Sequence, residues 1–200
     1  MCEVEELRRT CDIAGSLLLK SPEQELIDWI KQCTGQNLAI KECQQAFYDY
    51  FCFPQSGLFC PPYNHVFSNG LRHGDIWQFP AASFDGGAEE EDFYQKFNFA
   101  PSMLNIKLPM VHKHVPGDHF GVELLFISCV LTNENLNTPD TWSILKGFIC
   151  AHLPGLKGYT HLLGSQTDPY IKVVAECLEE CLSGLDYLLS IDSWVMTPTY

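Results

Sequence analysis

The residues with most capacity for chemistry lie close together. His112, His114, Asp118, His119 and Glu123 fall within the run Leu108-Pro109-Met110-Val111-His112-Lys113-His114-Val115-Pro116-Gly117-Asp118-His119-Phe120-Gly121-Val122-Glu123. Imidazoles and carboxylates at this density suit either a metal centre or acid–base work. His-x-His on extended backbone places both rings on one face, and His119 and Glu123 stand four apart, as helical neighbours do. The set does not match His-Glu-x-x-His or another established ligand spacing. Asp118 reads as a helix N-cap, since its carboxylate would accept the first free N–H groups. His119, one step into the helix, is electrostatically out of place if protonated beside the positive end of the dipole, so it is expected to have a role of its own.

Other catalytic patterns are missing. The chain has no Gly-x-Ser-x-Gly elbow, no Gly-x-x-x-x-Gly-Lys-Ser/Thr and no Gly-x-Gly-x-x-Gly, so neither a serine nucleophile nor a standard phosphate cradle is indicated. None of the ten cysteines forms a Cys-x-x-Cys pair, which removes the usual zinc-knuckle and thioredoxin spacings. Cys33, Cys43, Cys129, Cys150, Cys177 and Cys181 lie in or beside apolar helical patterns, where a reduced thiol acts as a small hydrophobe.

The elements that must position these residues are helices. Two hundred residues at 46% hydrophobic and 18% charged fit one domain over 1–200, with sub-lobes of about 1–110 and 111–200 sharing a core. Residues 2–19 form an amphipathic helix with Val4, Leu7, Cys11, Ala14 and Leu18 on one face. Ser21-Pro22 starts a second carrying Leu26, Ile27, Trp29, Ile30 and Cys33, and Gly35 stops it. Asn37 opens a third. From Phe53 to Gly87 prolines and glycines forbid long helices, yet Phe59, Tyr63, Phe67, Trp77, Phe79 and Phe84 require this connector to pack. Tyr63 and Trp77 combine an apolar body with a hydrogen-bonding tip, as binding surfaces do.

Ala88–Phe97 is a short helix whose Glu89, Glu90, Glu91 and Asp92 read as a solvated first turn. Helix 118–132 has almost no polar face and belongs at the centre of the core. Thr138-Pro139 starts a helix over 139–152, Leu153-Pro154-Gly155 is expected to break it, and a short helical piece follows near Tyr159–Leu163. Thr167-Asp168-Pro169 starts the last helix, to about Ser190. No stretch alternates with period two, so no sheet is expected. The fold class is all-α.

A formal net charge of −13 disfavours nucleic acid, which needs a basic footprint, and anionic lipid surfaces. No apolar run reaches the roughly 20 residues of a spanning helix, and Leu17-Leu18-Leu19 is too short for a signal-peptide core, so the expected location is cytoplasmic. A partner selected by charge would be basic.

Val115-Pro116-Gly117-Asp118-His119-Phe120-Gly121-Val122-Glu123-Leu124-Leu125 resembles the signature of the TorD/DmsD/NarJ family of redox-enzyme maturation chaperones, a Pro-x-Asp-His step followed by an apolar helix with Glu-Leu. Pro61-Pro62-Tyr63-Asn64-His65-Val66-Phe67 is similar to that family's Pro-Pro-aromatic segment. Phe93-Tyr94-Gln95-Lys96-Phe97-Asn98-Phe99-Ala100-Pro101 is similar to its Tyr-x-x-x-Gly-Phe-x-Pro element, and Ala151-His152-Leu153-Pro154 to its His-Leu-x-Pro-Trp step. Their order and spacing extend the likeness from about Leu7 to Leu188. Val115, Gly117, Asn98 and Gly155 depart from the pattern.

The resemblance implies a single all-helical TorD-like domain in the cytoplasm, not an enzyme and without a cofactor, monomeric or homodimeric. Its partner would be a molybdopterin-containing oxidoreductase, held back through its twin-arginine leader or its body until the cofactor is inserted. Neither nucleic acid nor stable membrane insertion is implied. Asp118 and His119 would belong to the peptide-binding region, with Pro116, Glu123, Tyr63 and Trp77 around them. The chemistry agrees: two guanidinium groups call for carboxylates, and the apolar stretch after them for an aromatic-lined groove. The alternative is a small metal-binding protein or metal-dependent hydrolase built on His112, His114 and His119.

Overall fold

The computed structural model describes residues 2–73, 76–78, 87–106, 108, 115–132 and 138–191, without the side chains of 2, 3, 71–73, 76 and 77. His112, His114 and the side chain of Trp77 therefore lie outside the described residues. The described chain is all-α. Its helices are α1 (Cys2–Leu19), α2 (Gln24–Thr34), α3 (Ile40–Phe47), α4 (Asn64–Ser68), α5 (Ala88–Lys96), α6 (Phe120–Thr132), α7 (Pro139–Gly164) and α8 (Pro169–Ser190). A π-helical turn, Tyr48–Cys52, extends α3. None of these helices is long and apolar enough to cross a membrane.

The expected starts and stops are largely met. Thr138 accepts from the Thr141 N–H at the head of α7, and Asp168 accepts from Tyr170 and Ile171 at the head of α8. Gly35 closes α2 in the left-handed conformation. Three details differ. β1 (Leu71–His73) and β2 (Ile76–Gln78) pair antiparallel inside the aromatic connector, although no alternation announces them; three-residue strands are too short to carry one. α2 and α3 start later than expected, at Gln24 after Glu23 as N-cap rather than at Ser21-Pro22, and at Ile40 rather than Asn37.

The third difference is α7, which runs unbroken through Leu153-Pro154-Gly155. Proline removes one helical hydrogen bond, that to the carbonyl of Cys150, and Cys150 is exposed, so water can serve that carbonyl. On the inward side Phe148, Ile149, Leu153, Leu156, Tyr159 and Leu163 are buried continuously across the proline. Packing overrides the breaker.

α6 is the axis of the core. Phe120, Val122, Leu124, Phe126, Ile127, Val130 and Leu131 are buried along it, and it packs mainly on α1, which also packs on α8. The sequence halves thus share one core. The α1–α6 crossing is close because both helices present glycine. A Cβ on Gly15 would stand 2.8 Å from the Gly121 carbonyl oxygen, and one on Gly121 2.9 Å from that of Gly15. Cys11 on α1 and Cys181 on α8 meet with their sulfurs 3.4 Å apart as buried thiols. Cys43 is buried as expected, but Cys33, Cys129 and Cys150 are exposed. Trp29 is also exposed, while Ile27 and Ile30 of the same helix are buried.

Candidate functional site

The head of α6 is built by four segments distant in sequence. Tyr63 and His119 form an isolated antiparallel bridge, in which Asn64 N–H donates to the Asp118 carbonyl at 2.8 Å and Phe120 N–H to that of Pro62 at 2.9 Å. Two prolines at 61 and 62 keep the incoming chain extended, which lets it pair with the turn before α6. Tyr94 of α5 reaches the same turn, its hydroxyl donating to the Gly117 carbonyl at 2.6 Å. Gly87, in the left-handed conformation with φ 109°, stands at the head of α5. A Cβ there would stand 2.6 Å from the Gly117 nitrogen, so α5 approaches the turn backbone to backbone.

Asp118 does not cap its own helix. One carboxylate oxygen, Oδ2, pairs with His65 Nδ1 and accepts from the His65 N–H at 3.4 Å. It thereby serves the first turn of α4, across the bridge. The cap of α6 is His119: its carbonyl accepts from Val122 and Glu123, and its Nδ1 accepts from the Gly121 N–H at 3.0 Å. An imidazole can do this only with a lone pair on Nδ1, hence as the neutral ring. Complete burial provides that state by holding its pKa down to about 3. The electrostatic misfit expected of a first-turn histidine therefore does not arise.

Capping leaves two loose ends. His119 Nε2, which must carry the proton, and the second carboxylate oxygen of Asp118, Oδ1, are buried without a hydrogen-bond partner among the described residues. Buried polar atoms are rarely left so. Tyr63 packs edge-on against His119 at 5.3 Å and stacks on His65 at 5.9 Å. Of this group His65 is the partly open member, its side chain 26% exposed against 3% for Asp118. Pro116 is buried, and its carbonyl accepts from the His119 N–H.

Glu123 faces elsewhere. Its Oε1 lies 2.9 Å from His152 Nδ1 of α7 and accepts from Asn64 Nδ2 of α4 at 3.2 Å. Glu90 of α5 lies 3.7 Å from the same ring nitrogen, so the expectation that the whole acidic first turn of α5 is solvated fails at Glu90, which is buried. Burial raises the Glu123 carboxyl to about 7 against the pull of His152, and it raises that of Glu90 too. Burial alone would lower the His152 ring, but the hydrogen bond and charge of Glu123, with Glu90 and Asp118, raise it overall.

Thus Asp118, His119, Pro116 and Tyr63 come together as one group, and Glu123 joins a second beside it through Asn64. Trp77 stands opposite Arg72 in the β1–β2 pair. The partners expected of His119 in the metal alternative, His112 and His114, lie outside the described residues. His65, Asn64, Glu90 and His152 are the members sequence reasoning did not select. Glu90 carried a signal, since it lies four residues before Tyr94 and so shares its face. Compared with family models, curated proteins and solved structures, the chain matches none.

Proposed function

We propose that this protein is a cytoplasmic, TorD-like maturation chaperone that binds the twin-arginine leader of a molybdopterin oxidoreductase at the head of α6. The observation that supports this reading is convergence. The four segments on which the resemblance rests meet at one place: Tyr63 and Asn64 on the 118–120 backbone, Tyr94 on Gly117, and His152 on Glu123. Two of the four departures from the pattern also have local reasons. Asn98 adopts φ 52°, a conformation glycine would otherwise supply. Gly155 leaves the room that the Asn64 amide occupies.

Among the described residues nothing pairs with the second carboxylate oxygen of Asp118, beside the partly open His65, and a guanidinium arriving past His65 would complete it. The chain's −13 charge favours the approach of such a basic peptide. Titration calorimetry with a twin-arginine leader peptide and its Lys-Lys variant tests the reading. Binding of the first and a loss of at least about tenfold for the second is expected, because an ammonium cannot reproduce the guanidinium fork. Equal affinity for the two, or none for either, contradicts it.

A further inference from the structure

Beside the head of α6, Glu90, Glu123 and His152 bring three ligand atoms within 4.8 Å of one another, all from buried residues. Their spacing is that of a coordination sphere: 2.9 Å and 3.7 Å from His152 Nδ1 to the two carboxylate oxygens. Ligands at about 2.0–2.2 Å from a common ion stand roughly 3–3.5 Å apart. The donors come from three helices, α5, α6 and α7, and Asn64 of α4 closes the group.

Hydrogen bonding within the cluster does not balance without a further positive centre. Ser68 Oγ donates to Asn64 Oδ1 at 2.8 Å, which turns the amide NH2 toward His152 Nδ1 and Glu123 Oε1. If Nδ1 carries a proton, it meets the amide donor head-on. If it carries a lone pair, it accepts from Asn64 but presents that lone pair to the Glu123 carboxylate. A proton placed there satisfies one carboxylate and leaves the other charge buried, which is costly. A doubly charged ion between the three satisfies both and balances their charge with the ring neutral.

We propose that Glu90, Glu123 and His152 form a binding site for a divalent first-row cation. Two carboxylates and one imidazole suit Mn2+, Fe2+ or Zn2+, and Asn64 would donate to a ligand carboxylate from outside the sphere, as partners of metal ligands do. The site ties α5, α6 and α7 together beneath the Asp118–His119 turn. It shares no residue with the His112/His114/His119 alternative and does not depend on leader binding.

Mn2+ is the probe of choice, because its preference for oxygen and nitrogen donors keeps the ten cysteines out of the measurement. Chelator-treated full-length protein is titrated with MnCl2, and free ion is followed by its six-line electron paramagnetic resonance signal. One equivalent is expected to bind, with pulsed spectra of the bound ion showing 14N coupling from one imidazole. Glu90→Gln should weaken binding at least about tenfold, and His152→Gln should remove the 14N coupling; Glu89→Gln, at an exposed neighbour, should change neither. Absence of binding, binding without 14N coupling in the unaltered protein, or affinity unchanged by Glu90→Gln overturns the proposal. The first two outcomes need no variant to fold.

Discussion

Two regions of the interior, about two turns apart on α6, are differently made. Around Phe126 the rings of Tyr94, Phe148, Phe99 and Phe97 stand with centroids 4.8, 4.8, 5.4 and 5.6 Å away, tilted or edge-on as aromatic quadrupoles prefer. Among the described residues, no buried polar side-chain atom of that group lacks a partner. At the head of the same helix Asp118, His119, Glu123 and Asn64 are buried, and two of their polar atoms have no partner among the described residues. Burying such atoms costs stability that an apolar residue would not. The aromatic stack therefore holds the fold, and the polar head draws on that stability, which on the proposed function would keep groups ready for a ligand. Tyr94 belongs to both: its ring lies in the stack and its hydroxyl ends on Gly117.

Substitutions can break this division. Phe126→Ala should be the most damaging, at about 3–5 kcal/mol of unfolding free energy, read from urea denaturation; a loss under about 1 kcal/mol would mean the stack is not the anchor. Next comes the pH response of His119. Its folded pKa, about 3, lies below the unfolded value of about 6.5, so the unfolded chain takes up a proton that the folded one refuses. Stability is therefore present above about pH 6.5 and is lost as pH falls toward about 3, at close to 1.4 kcal/mol per unit. Between about pH 7 and pH 5 this residue alone should cost about 2 kcal/mol. His119→Asn retains a capping side chain and should lack that component; an unchanged slope would show the ring to be charged in the fold. Smallest is Tyr94→Phe, which keeps the stack and deletes one hydrogen bond. It should cost about 1 kcal/mol, and a cost near that of Phe126→Ala would deny that the two regions are separable.

The difference between the regions also decides what could be read from residue order. The stack was legible in part, since the apolar helix carrying Phe126 belongs at the centre of the core and Phe148 lies on the inward face of α7, whereas nothing periodic brings Tyr94, Phe97 and Phe99 to it. The caps at Thr138 and Asp168 were legible, each served by its own next turn. The head of α6 was legible only in part. Asp118 and His119 stood out, but the role of Asp118 turns on His65, fifty-three residues earlier, a partnership no local rule supplies. Glu123 was read as a neighbour of His119 at helical spacing, whereas its carboxylate goes to α7 and α4. Pro154 misled for the opposite reason: its local cost is real, but the buried face running past it outweighs one lost hydrogen bond.

The central claim, that Asp118 is there to meet a ligand and not only to serve α4, is tested most directly by one paired measurement on Asp118→Asn. Asparagine retains an acceptor for the His65 N–H and lacks the charge. Leader-peptide affinity by calorimetry and thermal stability are taken on the same samples. Affinity should fall at least about tenfold, as loss of a charge-assisted pair with arginine requires, while stability falls by only about 1 kcal/mol. Undiminished affinity with a lowered melting temperature would make Asp118 a structural cap of α4 and contradict the account.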